Sequence, residues 1–161
     1  MESVAGEAGV SRATVYRRFR DKADLVTAAI AANGGGDLPD TPSADPKGDL
    51  VSYLEEFDER FAESCLEVLG ALVGAREEPH ALALHRDRVI SPRNAYARSL
   101  LEEAQRRGEL SPQADLELAL QMVAGSVFYR RVSGADSSPG WAKRAVHAIW
   151  ESMGPLSSRR P

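Results

Sequence analysis

Apolar residues recur at the spacing of a helix through most of the chain, and no segment alternates between apolar and polar positions as a half-buried strand does. The clearest stripe steps by four, three and four residues between Leu50 and Phe61 and continues toward Leu72. Such a stripe predicts a helix with one buried face, and the fold class predicted for the whole chain is all-α. The members of the stripe are Leu50, Leu54, Phe57, Phe61, Cys65, Val68, Leu69 and Leu72.

One stretch between the helical patterns consists largely of Gly, Pro, Asp and Ser. It spans residues 33–48 and predicts a linker between an N-terminal unit, residues 1–32, and a C-terminal unit, residues 49–161. A phosphate-binding loop is a poor interpretation of its glycines, because no Gly-Lys-Ser/Thr follows and no strand precedes. Asp21 is predicted to cap the helix before the linker. The predicted inward positions of that helix are Leu25, Val26, Ala29 and Ile30.

Prolines mark the boundaries of the later helices. Pro79 suits the first turn of one helix, and Ser91-Pro92 is predicted to interrupt it. Ser111 is predicted to cap a helix over residues 112–132, which is apolar almost all round its surface and therefore requires cover on every side. A last helix is predicted near residues 139–153.

Length and composition limit the possible classes of protein. At 161 residues the chain can form one core, or one core with a small additional module. Cys65 is the only cysteine, which excludes a disulfide within the chain and favours a reducing compartment; it is interpreted as a core residue, with a sensor role as the alternative. No apolar run approaches the roughly 18 residues of a membrane span, and the N-terminus does not resemble a signal peptide. The predicted location is the cytoplasm, without a membrane partner.

Charge is unevenly distributed along the chain, and this distribution says more about binding partners than the net charge of -4. Residues 11–22 contain five basic side chains and one acidic side chain, whereas most acidic residues lie beyond residue 36. A chain that is acidic overall can still approach a polyanion with one basic face.

Residues 1–20 are predicted to form two helices joined by a tight turn. Gly9 supplies the left-handed residue that ends the first helix, and Ser11 caps the second. The positions predicted to pack inward are Val4, Ala5, Ala8, Val10, Val15 and Phe19. The outer face of the second helix carries small residues, a hydroxyl, a tyrosine and arginines, which suits a DNA groove. On spacing alone, a solvated basic face on a helical hairpin is equally compatible.

The segment "SVAGEAGVSRATVYRRFRDKADLV", residues 3–26, closely resembles the helix-turn-helix of TetR-type transcriptional regulators. The matching residues are Ala5, Gly9, Val10, Ser11, Val15, Tyr16, Phe19 and Lys22. The resemblance implies that the residues facing the bases of DNA are Arg12, Ala13 and Thr14. It implies that the residues contacting the DNA backbone are Ser11, Tyr16, Arg17 and Lys22.

Residues 91–110 and 115–132 resemble the later helices of one class of TetR-type C-terminal domain. In that family the last two long helices pair with those of a second subunit, and the remaining helices surround an effector pocket. The dimer-interface residues predicted on this basis are Leu116, Leu120, Val123, Val127, Trp141, Val146, Ile149 and Trp150; for the two tryptophans, core contacts remain the alternative. The candidates for the ligand pocket are Phe57, Phe61, Leu72, Tyr96, Met122 and Phe128, which ordinary core packing explains equally well.

Members of the family carry a further helix before these two, packed across them, and Met1 comes too late for it. We expect either that the stated start is internal to a longer protein or that this helix is lacking. In the second case Val4, Ala8, Val15 and Phe19 lose part of their cover, and DNA binding suffers.

The predicted function is a DNA-binding transcriptional regulator, most simply a repressor. It would be a homodimer that binds a palindromic operator in double-stranded DNA and responds to a small-molecule effector. The alternative is a small-molecule-binding or dimerisation module that no longer binds DNA because the first helix is missing. An enzyme is not predicted, since His80 and His85 are spaced five apart and Ser126 lacks the flanking pattern of a nucleophile elbow. No cofactor or metal is predicted.

Overall fold

The computed structural model describes residues 1–34, 38–62, 79–134 and 138–155. Within these ranges all regular secondary structure is helical, which confirms the predicted all-α class. A π-helical turn, Arg86–Ile90, joins the fifth and sixth helices without a break. None of the described helices combines the length and apolar character that crossing a membrane requires. The helices are α1 (Glu2–Glu7), α2 (Arg12–Arg18), α3 (Lys22–Gly34), α4 (Pro46–Ala62), α5 (Pro79–His85), α6 (Ser91–Arg106), α7 (Leu116–Val132) and α8 (Trp141–Met153).

The chain divides into two compact units. Of the described residues, 1–34 and 79–92 belong to the first unit, and the remainder belong to the second. The first unit therefore includes residues that the sequence assigns to the C-terminal unit, because α3 packs against α5 and the π-helical turn. These contacts join segments more than forty residues apart, which no local pattern reveals.

In the first unit, α1 and α2 pack through small and β-branched side chains. Ala5 and Val15 are buried, as predicted. With six residues α1 makes fewer than two turns, and Ala5 is its buried position. The inward positions that the prediction has wrong are Val4, Ala8 and Val10, which are exposed.

Helix α3 begins as predicted but buries a different face. Asp21 caps it, since the Asp24 amide donates a hydrogen bond of 2.8 Å to the Asp21 carboxylate. Asp24 and Thr27 are buried, whereas Ala29, which was predicted to face inward, is exposed. Two polar residues thus occupy the side that packs against α5 and the π-helical turn.

The core of the second unit is formed by α4, α6, α7 and α8. Helix α4 begins at Pro46, three residues before the predicted boundary, because Asp45 accepts a hydrogen bond of 2.9 Å from the Gly48 amide and caps it. Of the stripe predicted from residue 50 onward, the first two leucines are fully buried and Phe57 is half-buried, whereas the Phe61 side chain and all members from Cys65 to Leu72 lie outside the described residues. Fully buried side chains of this core are Leu50, Leu54, Leu100, Leu101, Leu110, Val127 and Val146.

Two predicted helix boundaries are wrong. Ser91 and Pro92 open α6 instead of interrupting a helix, because the wider π-helical turn directly before them accommodates a proline ring. Helix α7 begins at Leu116, four residues later than predicted, because Asp115 caps it by accepting a hydrogen bond of 3.0 Å from the Leu118 amide.

Candidate functional site

The turn between α1 and α2 sets the direction of the candidate DNA-binding helix. The Val10 amide donates to the Ala5 carbonyl at 3.0 Å, and the Gly9 amide donates to the Gly6 carbonyl at 3.2 Å. Gly9 has a φ of 62°, a left-handed conformation that glycine adopts without steric cost. This pair of hydrogen bonds is the Schellman motif that ends many helices, so the predicted turn is confirmed at Gly9.

Ser11 begins α2 as its N-cap. Its hydroxyl oxygen accepts a hydrogen bond of 3.2 Å from the Thr14 amide and lies 2.9 Å from the Thr14 hydroxyl. The cap satisfies a backbone donor at the start of a short helix and holds the Thr14 side chain beside it.

Arg12 lies on the outer surface of this unit between two neighbours. Its guanidinium pairs with the Glu2 carboxylate of α1 and lies 5.6 Å from the centre of the Tyr16 ring. Both members of the ion pair are mostly exposed, and such surface pairs contribute less than about 1 kcal/mol. Arg12 can therefore exchange its contact with Glu2 for one with a DNA phosphate or base at little cost.

Most of the sequence-predicted DNA-contacting residues are exposed. Val15 is buried on the opposite side of α2, and α2 itself contains three arginines and no acidic residue. Arg17 lies in the last turn of the helix, and Lys22 is the first residue of α3. Thr14 is half-buried, and the exposed members are Ser11, Arg12, Ala13, Tyr16, Arg17 and Lys22.

A buried carboxylate fixes the segment that follows α2. Asp24 of α3 is only 5% exposed, and its Oδ2 accepts a hydrogen bond of 3.0 Å from the Arg20 backbone amide. Its Oδ1 accepts a hydrogen bond of 2.7 Å from Nη1 of Arg88 in the π-helical turn. The Arg20 amide, and then the Arg88 guanidinium, lower the pKa of Asp24 from its ordinary value, although burial opposes them. This carboxylate is therefore ionised at neutral pH.

In the second unit, three of the predicted pocket residues form one aromatic cluster. Phe57, Tyr96 and Phe128 are half-buried and are connected by ring contacts that include the buried Tyr53. Tyr53 stacks on Phe57 with ring centres 6.2 Å apart and meets Tyr96 edge-on at 5.8 Å, and Phe57 meets Phe128 edge-on at 6.3 Å. The Arg93 guanidinium lies 5.0 Å from the centre of the Phe57 ring. We call Tyr53, Phe57, Tyr96 and Phe128 the aromatic cluster.

The other pocket candidates do not join this cluster in the described structure. Met122 lies six positions before Phe128 on α7, about 120° away around the helix, and is exposed on another face. Leu72 and the Phe61 side chain lie outside the described residues.

Burial raises the pKa of both tyrosines of the cluster. Desolvation is the main cause at Tyr53, although nearby Arg93 acts in the opposite direction. At Tyr96, burial is reinforced by the negative charges of Asp49 and Glu56. Both phenols are therefore protonated at neutral pH and can donate hydrogen bonds.

The predicted dimer-interface residues lie inside this chain instead. Six of the eight are at most 8% exposed and belong to the core, and the other two, Leu116 and Trp141, are half-buried against it. In the single chain these side chains pack into or against the chain's own core, and their assignment to a dimer interface stays a prediction. The buried six are Leu120, Val123, Val127, Val146, Ile149 and Trp150.

A different face of α7 is exposed and apolar. Leu118, Met122, Tyr129 and Val132 lie on it, with Tyr129 75% and Val132 62% exposed. Together with exposed Gly125 they are spaced by four, three, four and three residues, which places all five along one line of the helix. We call these five residues the outer stripe of α7.

Sequence reasoning missed several residues of these sites. Tyr53 precedes Phe57 by one helical turn, so the helical spacing of apolar residues could have predicted it. Arg93 adjoins the cluster only through the packing of α6 on α4. Asp24 and Arg88 are 64 residues apart in sequence, and no local signal pairs them. Among the described residues, no group of three or more His, Cys, Asp or Glu side chains could hold a metal ion.

Two family models match the chain. Residues 1–29 match "Bacterial regulatory proteins, tetR family", and residues 38–149 match "Tetracyclin repressor-like, C-terminal domain". The two matches leave residues 30–37 between them.

Curated proteins with similar sequences are bacterial regulators. The chain is 27% identical over 137 residues to the uncharacterized HTH-type transcriptional regulator YdeS of Bacillus subtilis (strain 168), covering 84% of this chain and 69% of that protein. It is 25% identical over 132 residues to the uncharacterized HTH-type transcriptional regulator Rv1556 of Mycobacterium tuberculosis (strain H37Rv), covering 82% of this chain and 65% of that protein. The chain thus spans about two thirds of the length of these relatives.

A solved structure has the same fold. The crystal structure of the TetR family transcription regulator SCO0332 superimposes with a TM-score of 0.64 at 21% sequence identity. The superposition covers 96% of this chain and 86% of the other.

Proposed function

Since the chain belongs to the TetR family of bacterial transcriptional regulators, we propose that it represses transcription as a homodimer that binds a palindromic operator and releases it on binding a small-molecule effector. The observation that carries this proposal is the exposed basic face of α2 behind a capped, glycine-ended turn. A regulator of this kind acts on the chromosome, so its proposed location is the cytoplasm. The proposal contains no catalytic step.

The outer face of α2 has the side chains that reading DNA requires. Arg12 and Thr14 lie in its first turn, from which side chains reach base edges in the major groove. Arg17, in the last turn of α2, and Lys22, the first residue of α3, would contact phosphates and fix the orientation of the helix. The acidic remainder of the chain would discourage contact with DNA through other faces.

The outer stripe of α7 supports a homodimer and replaces the residues predicted from sequence. Its spacing by four and three residues is that of a helix seam against a second helix. A Cβ built on Gly125 would meet nothing within 4 Å, so a partner helix can approach closely there. Tyr129, with one apolar face and a hydroxyl, is of the residue type that often dominates binding energy at interfaces.

The aromatic cluster supports an effector with a planar apolar body. Phe57, Tyr96 and Phe128 provide half-buried aromatic side chains, and the phenols and the Arg93 guanidinium provide hydrogen-bond donors beside them. Ligand sites combine such apolar lining with a few polar groups that fix orientation. A guanidinium next to the rings favours an effector that carries a carboxylate or another anionic group.

A selection experiment tests the DNA-binding proposal. The purified chain is incubated with a library of random DNA duplexes, and the recovered sites are sequenced and measured by fluorescence anisotropy at several salt concentrations. We expect palindromic sites whose affinity falls steeply with salt. Adding a panel of small aromatic acids should weaken binding to those sites for at least one compound, and the Arg93→Gln variant should reduce that response.

A second candidate is a small-molecule-binding or dimerisation module that does not bind DNA. The exposure of Val4 and Val10 favours it, because these apolar side chains flank α2 without cover from the described residues. In the selection experiment this candidate predicts no enriched sites even at low salt, with a stable dimer still seen by light scattering.

A further inference from the structure

One carboxylate holds two distant segments of the first unit together. Asp24 accepts the Arg20 backbone amide through one oxygen and the Arg88 guanidinium through the other. Arg20 lies two residues beyond the end of α2. The position of that end therefore depends on Asp24, and the position of Asp24 depends on Arg88.

Capping explains why the first turn of α3 carries a carboxylate that accepts a preceding amide, but it does not explain why that carboxylate also binds Arg88. Asp24 lies on a face of α3 that packs against α5 and the π-helical turn, where an apolar residue would avoid the cost of removing a carboxylate from water. Unlike an apolar contact, this ion pair depends on orientation. Both hydrogen bonds to Asp24 form only in one relative placement of the end of α2, α3 and the π-helical turn.

The turn that carries Arg88 has an unusual register. The Ser91 amide donates to the Arg86 carbonyl, five residues back, instead of the four of an α-helix. Arg88 lies in the middle of this turn and contacts Asp24 of α3 within the first unit.

We infer that Asp24 and Arg88 are positioning residues for DNA binding, which set the angle at which α2 meets the operator. This inference rests on the proposed function. Neither side chain needs to touch DNA, because Asp24 is buried and would repel a phosphate, and the Arg88 guanidinium is engaged by Asp24. The pair acts through the backbone at Arg20.

A set of matched variants of the full chain tests the pair. Asp24→Asn and Arg88→Gln each remove one charge, and the double variant removes both. Arg86→Gln and Asp87→Asn make the same substitutions at exposed positions of the same π-helical turn and serve as controls. Arg88→Lys keeps the charge and should restore part of the affinity.

Binding is measured to the selected operator and to a non-specific duplex of equal length, each at several salt concentrations. We expect each single variant to lose about tenfold in operator affinity, and the double variant to lose no more than the worse single variant, as for groups that act together. Non-specific affinity and the salt slope should not change. A slope reduced by about one in Arg88→Gln would instead indicate a direct phosphate contact and overturn the inference.

Hydrogen exchange of the free protein provides a readout that requires no DNA. Both single variants should accelerate exchange of the Arg20 amide more than that of the Val15 amide inside α2, and any fall in melting temperature should leave the chain fully folded at the temperature of the binding assay. Unchanged exchange at Arg20, or a loss of operator affinity that merely follows a lower melting temperature, would overturn the inference and leave the proposed function intact. A wild-type chain that binds no duplex at all would overturn both.

Discussion

Arg131 of α7 binds Asp58 of α4 at two points. Its Nε donates to Oδ1 of the carboxylate, and its Nη2 donates to the Asp58 carbonyl oxygen, each at 2.8 Å. Arg130 approaches the same carboxylate at 3.5 Å, and its guanidinium lies 4.2 Å from the centre of the Trp141 ring. A single, almost fully buried carboxylate therefore links α4 to α7 and, through Arg130, to the first residue of α8.

Replacing this carboxylate should destabilise the protein. We expect Asp58→Asn to lower the free energy of unfolding by about 3 kcal/mol, because the substitution leaves two largely buried guanidinium groups facing a neutral amide. Urea denaturation followed by circular dichroism measures this change. Glu55→Gln, an exposed substitution on the same helix, is the control and should stay within about 0.5 kcal/mol of the wild type. Equal stability of the two variants would contradict the role assigned to Asp58.

Two substitutions on α2 should separate DNA-backbone contacts from base contacts. Arg17→Ala should weaken binding to all duplexes alike and reduce the salt slope by about one, because it removes a phosphate contact. Thr14→Ala should change preference at one base position by about 1 to 3 kcal/mol and leave the slope unchanged. Anisotropy titrations on the selected operator and its single-base variants distinguish the two patterns. Identical effects from both substitutions would contradict the proposed roles.

The outer stripe of α7 predicts a variant that no longer dimerises. Tyr129→Glu combined with Leu118→Glu should raise the dimer dissociation constant on the order of a hundredfold, because charges would replace interface side chains on both subunits. Both side chains are exposed in the single chain, so helix content should be unchanged. Light scattering after size-exclusion chromatography measures the mass. Asn94→Glu, at an exposed site on α6, is the control; a dimer unaffected by the double substitution would place the interface elsewhere.

The sequence predicted the helix caps and the turn that depend on hydrogen bonds between neighbouring residues. Gly9, Ser11 and Asp21 each act through atoms within five residues, and each has the predicted role. The start of α7 was wrong because Ser111 and Asp115 both offer caps close together, and the actual choice depends on packing.

The features that sequence missed depend on contacts between distant residues. The apolar pattern of α7 does not distinguish a face covered by the same chain from a face left exposed, so Val123 and Met122 could not be told apart. Asp24 was assigned no role from the sequence, because its partner Arg88 is 64 residues away. The exposed side of α2 was predictable because it depends on the single turn at Gly9. The aromatic cluster was not, because its members come together only when α4, α6 and α7 pack.

His85 should make stability depend on pH. Its side chain is 6% exposed, and its Nδ1 atom has no hydrogen-bond partner among the described residues. Burial lowers the pKa of His85 below its ordinary 6.5, because the charged form is poorly solvated there. In the pH range between the two values the unfolded chain binds the proton more readily than the folded one, so the contribution of His85 to stability falls as the pH drops below about 6.5.

The His85→Gln variant should remove this dependence. We expect the difference in unfolding free energy between wild type and variant to shift in favour of the variant as the pH falls from about 7.5 to 5.5, the range in which an unperturbed histidine titrates. His80→Gln, an exposed substitution on the same helix, is the control and should run parallel to the wild type. Chemical denaturation at a series of pH values measures all three proteins, and taking differences cancels the titration of every other group. Parallel curves for wild type and His85→Gln would mean that His85 binds its proton equally well in the folded and unfolded chain, and that its burial carries no electrostatic penalty.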